Sequence, residues 1–318
     1  MSRSSRCKND FSMSRKRMVI AGGSGFIGRA LAKEFLARGF EIVVLTRSPR
    51  QRGNGVREVA WDGEHAGEWI SIFDGADAVI NLTGKNINCP HTPENLLGIT
   101  TSRVNSVMAI AAAIEKVQTP PRVWVQASAA GFYGDTGDTA RDESAPIGSD
   151  TLANVCRQWE AVFATAQVPQ TRKVVLRIGF VLGQDGGALP VLSKLTKCFL
   201  GGAVGNGRQY ISWIHLTDLV RMFVAAVENE ALSGIFNAVA PNPVTNADFM
   251  RELRRAWRRP WSPPAPAFAV KLGARLMRSE ASLALVSQRC VPKKFLAAGF
   301  QFQFAEVAPA LNDLCRNV

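Results

Sequence analysis

Three glycines near the start of the chain, Gly22, Gly25 and Gly28, follow a β-branched apolar segment at the spacing G-x-x-G-x-x-G. A strand that opens into such a turn lets the backbone approach a pyrophosphate. The helix that follows offers free N–H groups and the positive end of its dipole to the phosphates. The spacing alone is also found in ordinary strand-to-helix turns. A second apolar strand at 41–46, at the distance that a βαβ unit requires, favours a dinucleotide site.

The end of that second strand, Thr46 and Arg47, indicates which nicotinamide cofactor fits. An acidic residue at this place hydrogen-bonds the ribose 2′-hydroxyl of NAD, whereas an arginine accommodates the 2′-phosphate of NADP. Residues 46–50 contain Arg47 and Arg50 and no acid. We therefore expect NADP, the alternative being an arginine that is merely solvated at the start of a loop.

Residues that follow several parallel strands are expected to meet around the dinucleotide, because parallel strands end at one edge of the sheet. The glycine turn would supply backbone N–H groups, and segment 81–84 would lie beside the adenine ribose or the nicotinamide. The predicted cofactor-binding residues are Gly22, Gly23, Ser24, Gly25, Phe26, Ile27, Gly28, Thr46, Arg47, Asn81, Leu82, Thr83, Gly84 and Ser128.

The elements that position these residues alternate between strand and helix over the first 180 residues. This order predicts an α/β fold, a Rossmann-type doubly wound parallel sheet of six or seven strands. Beyond Gly183, frequent glycines and prolines indicate a smaller C-terminal substrate lobe of short helices and loops. The expected division is a basic leader at 1–17, an NADP-binding Rossmann domain at 18–183 to which segments around 208–246 return, and a substrate or partner lobe at 184–318.

Composition limits the classes of protein that this chain can be. Its 318 residues are 47% apolar, enough for a doubly wound core and a second lobe. No stretch of 18 or more uncharged apolar residues occurs, so no transmembrane segment is expected. The six cysteines form no CxxC pair. This spacing fits a reducing compartment and predicts neither a disulfide framework nor a metal site.

The net charge of +12 is concentrated in two segments, and the rest of the chain is nearly neutral. Residues 1–17 hold six Lys or Arg against one acid. They form either a presequence for the mitochondrial or another organellar matrix, or a disordered leader of a cytoplasmic protein. Residues 251–294 hold eleven against two and include a predicted helix at 246–259 with arginines largely on one face. That face is either solvated or docks an acidic protein, RNA or an anionic membrane surface.

Six motifs together resemble an extended short-chain dehydrogenase/reductase: AGGSGFIG at 21–28, NLTG at 81–84, ASAAGFYG at 127–134, LRIGFVLG at 176–183, SWIHLTDL at 212–219 and FNAVAPNPVTN at 236–246. The chain is similar to one atypical subgroup, the "epimerase family" proteins, some of which carry a cell-division-inhibitor-like label. That subgroup shares the glycine-rich segment 201–209, the pair Trp159-Glu160 and the terminal motif at 292–300. The resemblance spans about residues 18–314.

The resemblance implies a proton relay that this chain lacks. In active members, a lysine four residues after a tyrosine lowers the tyrosine pKa, and the tyrosine transfers the proton. The corresponding positions here hold Leu152 and Cys156. Tyr133, after the strand that faces the nicotinamide, is the best remaining acid candidate. Ser128 stands one residue from the usual position of the substrate-binding serine.

The resemblance also bears on the substrate. Phe180 and Ile211 stand where nucleotide-sugar epimerases place an asparagine and an arginine that meet the substrate. A UDP- or dTDP-sugar is therefore not favoured, whereas a smaller anion could meet Arg208, Lys194 or Lys197. His215 and Asp218 suggest catalysis, but the segment turns into a helix that Thr217 or Asp218 can cap, which favours a structural role.

Two functions remain open from the sequence. The first is an NADP-dependent oxidoreductase or epimerase of a small substrate, with hydride transfer by cofactor positioning and protons supplied by Tyr133 or water. The second is a non-catalytic dinucleotide-binding protein, used as a structural or assembly subunit or as an organelle-division factor.

Overall fold

The computed structural model describes residues 16–51, 53–276 and 280–316. The predicted basic leader lies outside this range except for Lys16 and Arg17. Its role as a presequence or a disordered leader, and the compartment that would follow from it, stay predictions.

Eleven strands are formed among the described residues, and seven of them build the central sheet in the order β10-β6-β5-β4-β1-β2-β3. Every pair of neighbours in this sheet is parallel. The predicted α/β fold with a Rossmann-type doubly wound sheet is confirmed. The order of the strands reverses between β1 and β4, and in open α/β sheets ligands bind at such a switch point. The strands are β1 Arg17–Ala21, β2 Glu41–Thr46, β3 Val56–Ala60, β4 Ala78–Asn81, β5 Val123–Ala129, β6 Arg172–Ile178, β7 Phe180–Leu182, β8 Tyr210–Ile211, β9 Trp213–His215, β10 Gly234–Ala238 and β11 Val244–Thr245.

Helices cover both faces of the sheet. One face is packed by apolar side chains of the first and fifth helices, such as Phe35 and Phe223. The other is packed by the second and third, with Ile110 and Phe163. The α-helices are α1 Phe26–Ala37, α2 Pro93–Lys116, α3 Thr151–Thr165, α4 Leu189–Lys197, α5 Leu216–Glu228, α6 Asn246–Ala256, α7 Ala267–Leu276, α8 Ser282–Leu285, α9 Lys293–Ala297 and α10 Val307–Arg316.

The apolar pattern of the sequence predicts a helix around Thr101 to Lys116, whereas α2 begins eight residues earlier, at Pro93. The side chain of Thr92 accepts a hydrogen bond from the backbone N–H of Asn95, and Pro93 occupies the first turn. Both features commonly mark the first turn of a helix. Among the described residues, α2 is long and apolar enough to cross a bilayer by length and composition. Here it lies on the sheet with Val107 and Ile110 in the core, as core helices of globular proteins do.

A separate apolar cluster forms the C-terminal lobe. Trp213 of β9, Phe249 of α6 and Leu311 of α10 pack together there. Helix α6 ends at Ala256, three residues before the end predicted at Arg259. The residue before a proline is disfavoured in helical conformation, and here that residue is Arg259, before Pro260. Arg258, just past the C-cap, takes a left-handed conformation with φ of 55°, and the N–H of Arg259 donates to the carbonyl of Arg254 at 2.8 Å, which closes the helix in a Schellman motif.

Candidate functional site

The glycine turn lies between β1 and α1, at the switch point of the sheet. Gly22 has φ of 74° and donates its N–H to the carbonyl of Leu45 at 3.0 Å. A Cβ added at Gly22 would stand 3.1 Å from the carbonyl carbon of Leu82, so the turn lies tightly against the segment after β4. The N-cap of α1 is Gly25, and no side chain of the described residues caps the first turn of this helix. The first backbone N–H groups of this helix are therefore available to an anion.

The glycines of the turn serve two different needs. A Cβ at Gly28 would stand 2.4 Å from the Cα of Gly23, so this glycine is required for the helix to approach the turn. At Gly25 the nearest atom to such a Cβ is the carbonyl oxygen of Gly22 at 3.4 Å, and φ is an ordinary −74°. The fold therefore tolerates a side chain at Gly25, and its glycine leaves room for close approach by a ligand.

Arg47 follows β2 beside the turn. The hydroxyls of Ser24 and Thr46 lie 3.3 Å apart, which joins the turn to the end of β2. Arg47 itself is exposed and makes no hydrogen bond or ion pair with any residue that the structure describes. Its guanidinium is thus free to receive a phosphate at the place where the sequence predicts the 2′-phosphate of NADP.

In segment 81–84, hydrogen bonds hold the side chain of Asn81, whereas the hydroxyl of Thr83 has no partner among the described residues. Asn81 Nδ2 donates to Ser106 Oγ at 3.1 Å and to Gln126 Oε1 at 3.0 Å, and its Oδ1 accepts from the N–H of Thr83 at 3.0 Å. Asn81 therefore shapes the segment; both of its Nδ2 hydrogens are engaged, while Oδ1 keeps a lone pair that a ligand could use. The hydroxyl of Thr83 is buried and has no partner among the described residues. A buried hydroxyl beside the glycine turn fits a site that a dinucleotide would complete.

A buried chain of hydrogen bonds contains both predicted catalytic residues. Ser128 Oγ donates to Glu160 Oε1 at 2.6 Å, and Glu160 Oε2 pairs with Arg177 Nη2 at 2.7 Å. Arg177 Nη1 donates to the hydroxyl oxygen of Tyr133 at 2.9 Å, and that hydroxyl donates to Asn237 Oδ1 at 2.8 Å. All five residues are buried. The network links the ends of β5, β6 and β10 to α3.

The network uses the hydroxyl of Tyr133 as both donor and acceptor. Burial raises the pKa of Tyr133 to about 12, so the phenol holds its proton at neutral pH. Burial likewise raises the pKa of Cys156 to about 12, and this thiol occupies the place of the missing lysine. The side chain of Leu152 has no ionisable group and cannot transfer a proton. The geometry favours a structural role for Tyr133 and Ser128, whose catalytic assignment stays a prediction.

The positions that would meet a nucleotide sugar, Phe180 and Ile211, are partly buried and pack against the apolar cluster of the C-terminal lobe. The Phe180 ring contacts the Phe249 ring edge-on, with centroids 6.0 Å apart. Ile211 packs against the same cluster. Among the basic candidates, Lys197 Nζ lies 3.7 Å from the centre of the Trp257 ring, while Lys194 and Arg208 are exposed. Neither Phe180 nor Ile211 offers a donor to a diphosphate.

His215 and Asp218 have structural roles, although His215 itself caps α5 where the sequence indicates Thr217 or Asp218. His215 Nδ1 accepts from the N–H of Thr217 at 3.1 Å. Asp218 accepts from the backbone N–H groups of Gln303 and Phe304 at 2.9 Å and 2.8 Å. These two residues anchor α5 and the C-terminal segment to each other.

Several arginines of the basic face on α6 have partners within the chain. Arg251 pairs with Asp248 at 2.6 Å, and Arg255 also has an acidic partner on the helix. Arg254 Nη1 donates to the carbonyl of Gly201 at 2.8 Å. These contacts account for part of the basic face without an outside partner, and docking of an acidic protein, RNA or a membrane there stays a prediction.

One residue beside the site was not anticipated from the sequence. Arg103 of α2 donates through Nη1 to the carbonyls of Lys85 and Ile99, at 3.0 Å and 2.9 Å. In the sequence, the sign of this residue is an arginine within an otherwise apolar helix, but it belongs to no recognised motif. Among residues 16–51, 53–276 and 280–316, no group of three or more His, Cys, Asp or Glu side chains could hold a metal ion.

Known proteins resemble the chain over nearly its whole length. The model of the NAD dependent epimerase/dehydratase family matches residues 18–238, and a domain of unknown function, DUF1731, matches residues 265–314. The human epimerase family protein SDR39U1 is 34% identical over 307 residues, which cover 94% of this chain and 99% of that protein. Its chloroplastic homolog from Arabidopsis thaliana is 35% identical over 306 residues, covering 95% of this chain and 87% of that protein.

Solved structures agree with these matches. Human SDR39U1 (isoform 2), crystallised with NADPH, gives a TM-score of 0.84 at 32% identity and covers 95% of this chain and 100% of its own. A nucleoside-diphosphate sugar epimerase from Corynebacterium glutamicum gives 0.77 at 31% identity, covering 95% of this chain and 58% of its own. The chain belongs to the NAD dependent epimerase/dehydratase family, as an atypical extended short-chain dehydrogenase/reductase similar to SDR39U1.

Proposed function

We propose that this protein is an NADP(H)-dependent oxidoreductase or epimerase that acts on a small substrate. The proposal rests mainly on the start of α1. Among the described residues no side chain caps this helix, and its N-cap is a glycine, Gly25, although the fold has room for a side chain there. Arg47 and the buried hydroxyl of Thr83, neither of which has a side-chain partner among the described residues, support it. Human SDR39U1, 32% identical, has been crystallised with NADPH, which also supports this choice of cofactor.

Each residue of the site has a distinct role in this proposal. The backbone N–H groups of Phe26 and Ile27 hold the pyrophosphate, and Arg47 holds the 2′-phosphate. The hydroxyl of Thr83 binds the sugar or amide part of the cofactor. NADP, when bound, supplies or accepts a hydride. Because Tyr133 is enclosed by its network, the proton is exchanged with water.

The choice between NADP and NAD depends on Arg47. Changing Arg47→Asp is expected to weaken NADPH binding by about tenfold or more while NADH binding is kept or improved, because the carboxylate repels the phosphate and accepts from the 2′-hydroxyl. Calorimetric titration of both nucleotides measures the preference. Arg50→Asp is the matched control and should leave it unchanged. An unaltered preference in Arg47→Asp would show that another residue receives the phosphate.

The role of Tyr133 is tested by its phenylalanine variant. Tyr133→Phe removes a donor to Asn237 and an acceptor for Arg177, and should lower the free energy of unfolding by about 1–2 kcal/mol. Urea denaturation measures this loss. Turnover of NADPH with a panel of aldehydes, ketones and quinones should be retained. Lost turnover with unchanged stability would instead identify Tyr133 as the proton donor.

A second candidate function is a dinucleotide-binding structural or assembly subunit without turnover. It is favoured by the chemically inert pair at the relay positions, the side chain of Leu152 and the buried thiol of Cys156. The same substrate panel separates the two candidates. Oxidation of bound NADPH by any of these compounds supports the enzyme, and tight NADPH binding with no oxidation supports the subunit.

A further inference from the structure

Arg103 is held rigidly beside the predicted cofactor site. A Cβ added at Gly84 would stand 2.8 Å from Arg103 Cζ, so the guanidinium lies directly against the backbone that follows β4. On its other side, Arg103 Cζ lies 5.1 Å from the centre of the Trp159 ring of α3. The hydrogen bonds from Nη1 to the carbonyls of Lys85 and Ile99 hold the guanidinium in this position.

Within the part of the chain that the structure describes, the positive charge of Arg103 has no acidic partner. No carboxylate of the described residues lies within ion-pair distance of it, and burial lowers its pKa because desolvation disfavours the charged form. The buried Arg177 provides the comparison, since its charge is matched by Glu160 at 2.7 Å. A guanidinium has five N–H donors, and only Nη1 of Arg103 is engaged with the described part of the protein.

A second unpaired donor lies next to this guanidinium. The Nε1–H of Trp159 is buried and has no acceptor among the described residues. Cys156, at the position of the family's missing lysine, is close enough for the charge of Arg103 to act on its thiol. Gly84 follows Leu82, which packs against Gly22 of the glycine turn, and the Cys156 thiol lies 4.0 Å from the carbonyl of Ala129 at the end of β5. The unpaired charge and the unpaired N–H thus lie on the cofactor side of the molecule.

We propose that Arg103 binds the carboxylate of a small organic-acid substrate held beside the cofactor, an inference that rests on the function proposed above. A planar guanidinium and a carboxylate form paired, charge-assisted hydrogen bonds, which would match the unpaired charge and the unused donors. The phosphates of the cofactor have their own predicted partners, the start of α1 and Arg47. Phe180 and Ile211, being apolar, leave no comparable site for a nucleotide diphosphate.

Carboxylate and amide pairs test the charge requirement directly. The NADPH-saturated protein is titrated with 2-hydroxybutyrate and mandelate and with their primary amides, and binding is followed by tryptophan fluorescence and calorimetry. At least one acid should bind about tenfold or more tightly than its amide. Arg103→Gln keeps an N–H donor for the carbonyls of Lys85 and Ile99 but removes the charge, and should abolish this difference. Arg103→Lys should retain part of it.

The controls separate this inference from the proposed function. Arg157→Gln changes an arginine on the surface of α3 and should bind the acids as the unchanged protein does. NADPH affinity should stay within about threefold in every variant. Equal binding of acid and amide, binding of neither, or parallel loss of acid and NADPH binding in Arg103→Gln would overturn the carboxylate site. Failure of the unchanged protein to bind NADPH would instead contradict the proposed function.

Discussion

Replacing Gly25 by alanine is expected to weaken NADPH binding by about tenfold or more while leaving the free energy of unfolding nearly unchanged. The backbone at Gly25 has an ordinary φ of −74°, and an added Cβ would meet no atom closer than 3.4 Å. The methyl group would instead occupy the space through which a pyrophosphate approaches the first N–H groups of α1. Calorimetry and urea denaturation measure the two quantities on the same sample.

Gly28→Ala is the matched comparison within the same turn. Its Cβ would stand 2.4 Å from the Cα of Gly23, so this variant should lose stability together with binding. The contrast separates a glycine that the fold requires from one that the ligand requires. Normal NADPH binding by Gly25→Ala would mean that the pyrophosphate lies elsewhere.

Changing Arg177→Met is expected to lower the free energy of unfolding by about 3–5 kcal/mol, the largest effect on stability that the site offers. Glu160 is 8% exposed, and it would keep a buried charge whose remaining donor among the described residues is the hydroxyl of Ser128. The phenol of Tyr133 would also lose a donor. Urea denaturation without nucleotide measures the loss.

A surface ion pair provides the control for this variant. Arg38 is exposed and pairs with Glu34 at 2.8 Å and with Glu228 at 3.0 Å, both on the surface, so Arg38→Met should cost only about 0–1 kcal/mol. Changing Glu160 to methionine together with Arg177 should recover part of the loss, because the unpaired charge is then removed. A cost below about 1 kcal/mol for Arg177→Met would contradict the structural importance of the pair.

The sheet and the glycine turn could be predicted because their signals are local. The strands are short apolar segments that helices separate, and strand β2 was predicted at 41–46, the range that the structure has. The start of α2 was missed because Gly98 and several polar residues interrupt the apolar periodicity of its first turns. Its capping residue, Thr92, and Pro93 were the signal that could have located it.

The buried network could not be predicted because its members come together only in three dimensions. Glu160 and Arg177 are 17 residues apart, and Tyr133 and Asn237 are 104 apart. The resemblance to the family singles out Trp159 and Glu160, but it does not indicate that Glu160 pairs with Arg177. Arg103 carries no motif, and its importance depends on its having no carboxylate partner among the described residues, which a sequence does not reveal.

A crystal structure of the protein with bound NADPH tests the central claim most directly, because it measures the distances from the phosphates to their proposed partners. The account predicts pyrophosphate oxygens at about 3 Å from the N–H groups of Phe26 and Ile27, and the 2′-phosphate at a similar distance from the guanidinium of Arg47. A dinucleotide bound away from the glycine turn, or a 2′-phosphate that Arg47 does not contact, would contradict it.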